Sequence, residues 1–346
     1  MRGKGINYDT GFSPGGHSSR EHFDAGIVRA EMRVISQELR CTAVRISGGD
    51  PGRLSTAGEL AAAEGLEVWF APFPCELTTD QLAPLFADCA DRAEHLRRAG
   101  ANVVLVTGCE LTLFAAGFLP GGTVYERIQG LQAGGPQLYA AYAALPGKLN
   151  GFLAATAEAA RGRFGGPLTY ASGMWEPVEW GPFDIAATDA YRDADNAGTF
   201  RSGLRKQLQH GKPLAVTEFG CCAYAGAGDR GGMGWAIIDD STGQPRLDGD
   251  YVRDESEQVR YLEELHSIFA AEGVDLAFWF TFAGYGLGHD PAPRRDLDLA
   301  SYGLVKMLPG GPGTGYQGLG WEPKLAFAAL ANADWRAAPA AGGDPR

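Results

Sequence analysis

Two glutamates stand where apolar runs give out. One run reads Asn102-Val-Val-Leu-Val-Thr-Gly-Cys109-Glu110 and the other Pro213-Leu-Ala-Val-Thr-Glu218-Phe-Gly220. A carboxylate at the end of a buried strand meets apolar surroundings that raise the cost of its charge. Two carboxyls facing each other can attack and protonate an acetal. A gap of about 5–5.5 Å suits glycoside hydrolysis with retention, and roughly 6.5–9.5 Å suits inversion. A single glutamate at a strand end reads equally well as a rim ion pair; two in equivalent positions favour a site.

Other chemistries find little support. His17, His289 and Asp290 make no HExxH-type spacing, and no His/Cys cluster does, so no metal is expected. There is no GxSxG for a serine nucleophile. Cys109 has no nearby histidine to activate it. Pro14-Gly15-Gly16 reads as a turn, not a phosphate cradle, and no cofactor is expected. The net charge of −12 comes without Lys/Arg clusters, which excludes a nucleic-acid partner.

Placing both glutamates requires strands of one kind. Eight short apolar runs have the length and Gly or polar endings of buried parallel strands: Gly5–Tyr8, Ala43–Ser47, Glu67–Pro72, Val103–Thr107, Leu168–Ala171, Ile185–Thr188, Leu214–Thr217 and Leu276–Thr281. Helical periodicity fills most of the gaps, at His22–Leu39, Leu60–Ala63, Asp80–Arg98 (entered through Thr79-Asp80), Leu149–Arg163, Thr199–Gln209, Glu255–Ala271 and Trp321–Ala331. Eightfold alternation predicts an α/β fold of the (β/α)8 TIM-barrel class, one domain over residues 1–346. A doubly wound sheet would put a Gly-rich turn after the first strand, where Asp9-Thr10-Gly11-Phe12 stands instead. Long connections are expected after strands four (111–150), seven (220–254) and eight (283–320), all leaving the face where barrels place their sites.

The composition, 45% hydrophobic and 21% charged, is that of an ordinary globular chain. No apolar run reaches membrane-spanning length, so no membrane association is expected. Met1-Arg2-Gly3-Lys4-Gly5 lacks the pattern of a signal peptide, and six scattered cysteines read as reduced thiols, which together predict a cytoplasmic location. Cys221 and Cys222 are adjacent, but a disulfide between them would be strained. Nothing in the sequence sets an oligomeric state.

The chain resembles clan A of the glycoside hydrolases over nearly its whole length. Val216-Thr217-Glu218-Phe219-Gly220 matches the (T/S)-E-(F/Y/W)-G of nucleophile strands in that clan, and Ala277-Phe278-Trp279-Phe280-Thr281 resembles its eighth strand. Arg45 after Ala43-Val44, Tyr191 in Thr188-Asp189-Ala190-Tyr191, Ser301-Tyr302-Gly303-Leu304-Val305 and Glu322-Pro323-Lys324 extend the likeness. The resemblance implies that Glu218 is a nucleophile braced by Arg45 and Tyr191, that Glu110 is the acid/base, and that Trp279 floors a sugar subsite. It implies a small carbohydrate or glycoside as the partner. Two positions depart from the clan: Cys109 precedes Glu110 where an Asn is usual, and Phe73-Pro74-Cys75 stands where a His often follows strand three.

Further candidates come from their positions alone. Asn7, Tyr8 and Asp9 end strand one and carry groups that bind sugar hydroxyls, although Asp9 equally suits a turn cap. Trp175 and Glu176 follow strand five and are candidates to line the cleft, and Trp180 and Trp235 are stacking platforms or loop plugs. Three readings stay open: a retaining glycosidase or transglycosidase, a barrel of the same ancestry doing isomerase, lyase or cyclisation chemistry on a small metabolite, and a sugar-binding barrel without catalysis.

Overall fold

Each apolar run becomes a strand because its alternate residues can be buried on both faces of a parallel sheet. The computed structural model describes residues 1–241, 243–311 and 315–335, so the last eleven residues of the expected domain lie outside the described residues. The eight strands are β1 (Gly3–Asp9), β2 (Ala43–Gly48), β3 (Glu67–Pro72), β4 (Val103–Cys109), β5 (Leu168–Gly173), β6 (Ala186–Asp189), β7 (Leu214–Phe219) and β8 (Leu276–Trp279). They form a closed barrel in sequence order, with β8 returning to β1. Its pairings are parallel, for example Val44 with Val68 and Arg45 with Trp69 across β2 and β3, and Gly3 with Leu276 across β1 and β8.

Nine helices accompany the strands among the described residues: α1 (Ala25–Gln37), α2 (Pro51–Ala63), α3 (Thr79–Arg98), α4 (Leu111–Phe114), α5 (Val124–Ala133), α6 (Pro136–Arg161), α7 (Phe200–Leu208), α8 (Glu255–Glu272) and α9 (Leu325–Asn332). Asp50 caps α2 by accepting from the Gly52 and Arg53 N–H groups at 2.7 and 3.0 Å, with Pro51 just inside. The cap of α3 is Thr78, one residue before the expected entry, and the Gln81 side-chain oxygen Oε1 accepts from its N–H at 2.9 Å. No helix among the described residues is long and apolar enough to cross a membrane.

Two expectations are corrected. Residues 111–150 are largely helical, because α6 begins at Pro136 and runs through Pro146 to Arg161. An interior proline usually breaks a helix, which is why only the last half of α6 shows in the periodicity. At the C-terminal end, Trp321–Pro323 is not helical. It pairs antiparallel with Val305–Met307, and α9 starts only at Leu325. The long connection after β8 also contributes Ala283–Gly288 to that small sheet, and the one after β7 holds a two-stranded pair, Ile238–Asp239 with Arg246–Leu247.

By contacts the chain divides into two compact units. One comprises Met1–Asn7, Val34–Thr42 and the residues from Ala190 onward. Here Lys4 donates to the Leu330 and Ala331 carbonyls, satisfying the last turn of α9. Arg253 bridges Asp296 and Asp298 at 2.8 and 2.9 Å, and Lys324 Nζ lies 2.9 Å from Asp298. Both Asp298 and Lys324 are fully buried, so the network joins the residue before Asp254-capped α8, the turn at Leu297–Ala300 and the first turn of α9. The other unit comprises Tyr8–Arg33 and Ala43–Asp189. In it, buried Arg20 donates to the Asp9 carbonyl and pairs with Glu31 at 3.3 Å, while Arg53 donates to the Thr10 and Arg20 carbonyls. These contacts fix the loop that leaves β1.

Asp298→Ala would leave Lys324 buried without its carboxylate. We expect a loss of about 3–5 kcal/mol, read from urea unfolding. The double change Asp298→Leu with Lys324→Met should recover most of it, and equal losses in both variants would refute this account of the pair.

Candidate functional site

Glu218 is the penultimate residue of β7 and is buried. Its neighbours explain the local sequence. Phe219 packs edge-on against Trp279, with ring centroids 5.4 Å apart. The Phe280 N–H donates to the Phe219 carbonyl at 2.8 Å. A Cβ on residue 220 would come within 2.4 Å of the Phe280 carbonyl oxygen, so only glycine fits there. The Tyr191 hydroxyl donates to Glu218 Oε2 at 2.9 Å, and the Ala190 N–H donates to the Glu218 carbonyl at 2.8 Å. A phenol donor on one oxygen fixes the rotamer of the carboxylate. Tyr191 in turn rests edge-on against Tyr302, whose hydroxyl is anchored to the Gly231 carbonyl.

The other proposed site residues of this unit take different positions. The Asn7 amide donates to the Thr217 carbonyl at 2.8 Å and is fully buried, so it braces the backbone just before Glu218 and presents nothing to a ligand. Trp279 is also fully buried, its indole N–H donating to the Tyr302 carbonyl at 3.0 Å. It cannot floor a subsite in this position. The next residue, Phe280, is only half-buried and stacks edge-on with Tyr302 at 5.8 Å. The period of two along a strand puts neighbours on opposite faces, so the aromatic available to a ligand is Phe280. Sequence reasoning chose the indole for its type and passed over the phenyl ring beside it. Trp235 is half-buried.

In the second unit, Glu110 directly follows β4 and is half-buried. Its backbone is left-handed, with φ 41° and ψ 48°, and it opens the short helix α4. Such a conformation costs a non-glycine residue about 1–3 kcal/mol and persists only where the surroundings over-determine it. Those surroundings are visible. The Glu110 N–H donates to the Ala171 carbonyl of β5 at 2.9 Å, and the Leu111 N–H donates to the Tyr170 hydroxyl at 2.7 Å. The Thr112 N–H donates to Glu176 Oε1 at 3.0 Å. The Tyr170 hydroxyl donates to Glu176 at 2.8 Å, and the Gly173 N–H donates to it at 3.1 Å.

Glu176 is therefore a buried anchor in this unit, not a lining residue of a cleft. Burial raises its carboxyl above the ordinary glutamate value, partly offset by the hydrogen bonds from Thr112, Tyr170 and Gly173. Trp175 is partly exposed and donates its indole N–H to the Thr112 hydroxyl at 3.1 Å, so it remains available to a ligand. Trp180 is a loop plug, buried edge-on against Phe183. Tyr8 is fully buried with its hydroxyl on Glu31 of α1, which removes it from any sugar site. It faces the helix layer because its strand neighbours Asn7 and Asp9 face the other way. Arg45 is fully buried on β2.

Sequence reasoning gave Asp189 no role. It ends β6, is buried, and accepts from the Cys109 thiol at 3.4 Å. The available signal was a lone carboxylate closing an apolar strand, the same signal that marked Glu110 and Glu218. None of the six cysteines forms a disulfide, Cys221 and Cys222 included. Burial pushes the thiols of Cys41, Cys75 and Cys89 up to about 12, which keeps them protonated and unreactive at neutral pH.

Asp9 caps the turn after β1, its Oδ1 accepting from the Gly11 N–H at 2.7 Å. Burial raises its carboxyl above the ordinary aspartate value, offset in part by Ser19, Gly11, Arg20 and Arg53. The folded chain then holds this proton more tightly than the unfolded chain does. The contribution of Asp9 to stability is greatest in acid and declines as pH climbs from the ordinary value through the raised one. Asp9→Asn keeps an acceptor for Gly11 and removes the charge. Its stability should gain on that of the parent protein as pH rises through and above the ordinary carboxylate range in urea unfolding, whereas a difference independent of pH would refute the assignment.

No known protein-family profile matches this chain, and no curated protein matches it either. Several solved structures are similar in shape. A GH113 β-1,4-mannanase aligns with TM-score 0.60 at 13% identity, over 96% of this chain and 99% of its own. The GH113 β-mannanase AaManA from Alicyclobacillus acidocaldarius, in complex with ManMIm, aligns with TM-score 0.57 at 17% identity, over 94% of this chain and 95% of its own. Cel5A from Thermotoga maritima, in complex with mannotriose, aligns with TM-score 0.51 at 13% identity, over 87% and 97%. At these identities the likeness is one of fold: this chain folds as the (β/α)8 barrel that these glycoside hydrolases use.

Proposed function

We propose that the protein is a retaining glycoside hydrolase, or a transglycosidase, acting on a small glycoside with Glu218 as nucleophile and Glu110 as acid/base. Glu218 attacks the anomeric carbon while Glu110 gives its proton to the departing oxygen. Glu110 then takes a proton from water, or from an acceptor alcohol, as that oxygen displaces Glu218 from the glycosyl ester. The observation that carries this reading is the Tyr191 hydroxyl on Glu218 Oε2 at 2.9 Å at the end of an apolar strand. A phenol donor on one carboxylate oxygen suits a nucleophile that must keep its aim. The left-handed Glu110 supports the second role, since backbone strain concentrates where a side chain must be held for function.

The sugar class draws support from the neighbours in fold, whose structures hold ManMIm and mannotriose. β-Mannosides therefore head the substrate screen, with Phe280 and Trp175 as the aromatic surfaces for the sugar and its aglycone. Arg45 is assigned to the electrostatic support of Glu218.

A second reading has one specific observation behind it. Where the clan usually places an amide before the acid/base, this chain has a thiol donating to Asp189 at 3.4 Å. A thiol is a weak donor and acceptor, and this one is already engaged, which favours non-hydrolytic acid/base chemistry on a small metabolite. Hydrolysis of any aryl glycoside in the screen excludes that reading.

Glu218→Ala and Glu110→Gln should each lower turnover by at least ~10²-fold, and Tyr191→Phe by ~10-fold. A 2-deoxy-2-fluoro glycoside should label Glu218, identified by mass spectrometry of the modified peptide. Full activity in both glutamate variants would sink the proposal.

A further inference from the structure

Glu176 and Tyr170 are both buried ionisable groups, and the double-displacement chemistry uses neither. Tyr170 lies in the middle of β5 and Glu176 in the turn that follows it, and between them they hold the first two N–H groups of α4. Tyr170 accepts from the Leu111 N–H at 2.7 Å, and Glu176 accepts from the Thr112 N–H at 3.0 Å. The Thr112 hydroxyl also donates to Glu176, and the Gly173 N–H ties the same carboxylate to β5 at 3.1 Å. Leu111 and Thr112 are the two residues after Glu110. A four-residue helix has little stability of its own, so its position is set by whatever caps it.

We infer that Glu176 and Tyr170 are positioning residues that clamp the Glu110 turn in its left-handed conformation and thereby aim the proton donor. The inference rests on the assignment of Glu110 as the acid. The free N–H groups of the first turn of α4 would otherwise be met by water, and Glu110 would relax toward an ordinary backbone conformation. Its carboxyl would swing with it, because a change of φ at a residue moves its own side chain directly. A proton donor displaced by about 1 Å loses much of its effect, while the binding surfaces stay in place.

The clamp has a signature that a merely structural role lacks. A leaving group that departs unaided needs no proton, whereas a poor one does. Tyr170→Phe and Glu176→Gln both keep the size of the side chain they replace. On a phenyl glycoside each should lower kcat ~10–100-fold with KM changed less than about threefold. On the matching 2,4-dinitrophenyl glycoside the loss in kcat/KM, which reports only the step that expels the leaving group, should be under about threefold against ~10–100-fold in kcat/KM on the phenyl glycoside, and Glu110→Gln should show the same selectivity more strongly. Equal losses on both substrates would overturn the clamp. Should either variant fail to fold, Thr112→Ala, which removes one donor to Glu176, should shift the same ratio in the same direction, and an unchanged ratio overturns the inference. If the parent protein cleaves no glycoside, or Glu110→Gln is fully active, the assignment of Glu110 has failed separately. Crystal structures of Tyr170→Phe and Glu176→Gln then decide on the clamp itself: a Glu110 φ that leaves the left-handed region supports it, and an unchanged φ refutes it.

Discussion

A strand in a closed parallel ring has no free face. Alternate side chains point to the barrel interior and to the helices, and both environments are dry. Polar chemistry is therefore confined to the last residue or two of each strand, where the ring opens. Glu218, Asp189, Asp9 and Glu110 all stand at or just beyond such an end. Deeper in the strands, polar groups are consumed by the structure. Asn7 holds the Thr217 carbonyl, Thr107 holds the Thr169 carbonyl, and Thr188 holds the Ser172 carbonyl.

The same constraint decides which residues the sequence reveals. All eight strands were legible because a doubly buried strand must be a short apolar run with polar punctuation, and few other segments look like that. Glu110 and Glu218 stood out because each interrupts such a run, and Asp189, which closes one in the same way, was passed over. What failed was the assignment of faces. Tyr8 and Trp279 have the chemistry to bind a sugar, yet both are fully buried and Tyr8 is spent on Glu31. A one-residue step along a strand turns the side chain to the opposite layer, and residue type carries no information about phase. Phe280 beside Trp279 shows how little separates the two outcomes.

The connections were less legible for a different reason. Their order comes from contacts distant in sequence. Pro146 disguises the middle of a long helix, and Trp321–Pro323 is a strand only because Val305–Met307 lies beside it. Glu176 belongs to this class as well. As a single acidic residue after a strand it looked like a cleft residue. Its actual role depends on the Thr112 N–H, sixty-four residues earlier in the chain. No local pattern encodes a partner at that distance.

Glu110 and Glu218 show two ways to hold a carboxylate at a strand end. Glu218 lies inside a regular strand, so its backbone is fixed by the ladder, and Tyr191 donates to its carboxylate. Glu110 lies one residue past its strand in a left-handed conformation, with its N–H on the Ala171 carbonyl of β5. The two residues that follow are held in addition by groups on the neighbouring strand and turn. A nucleophile has to reach one atom from one direction and gains from rigidity. An acid that later serves as base must exchange a proton with two different oxygens in turn, and a support one step removed leaves its side chain exposed for that exchange. The roles proposed for the two glutamates thus match the way each is anchored.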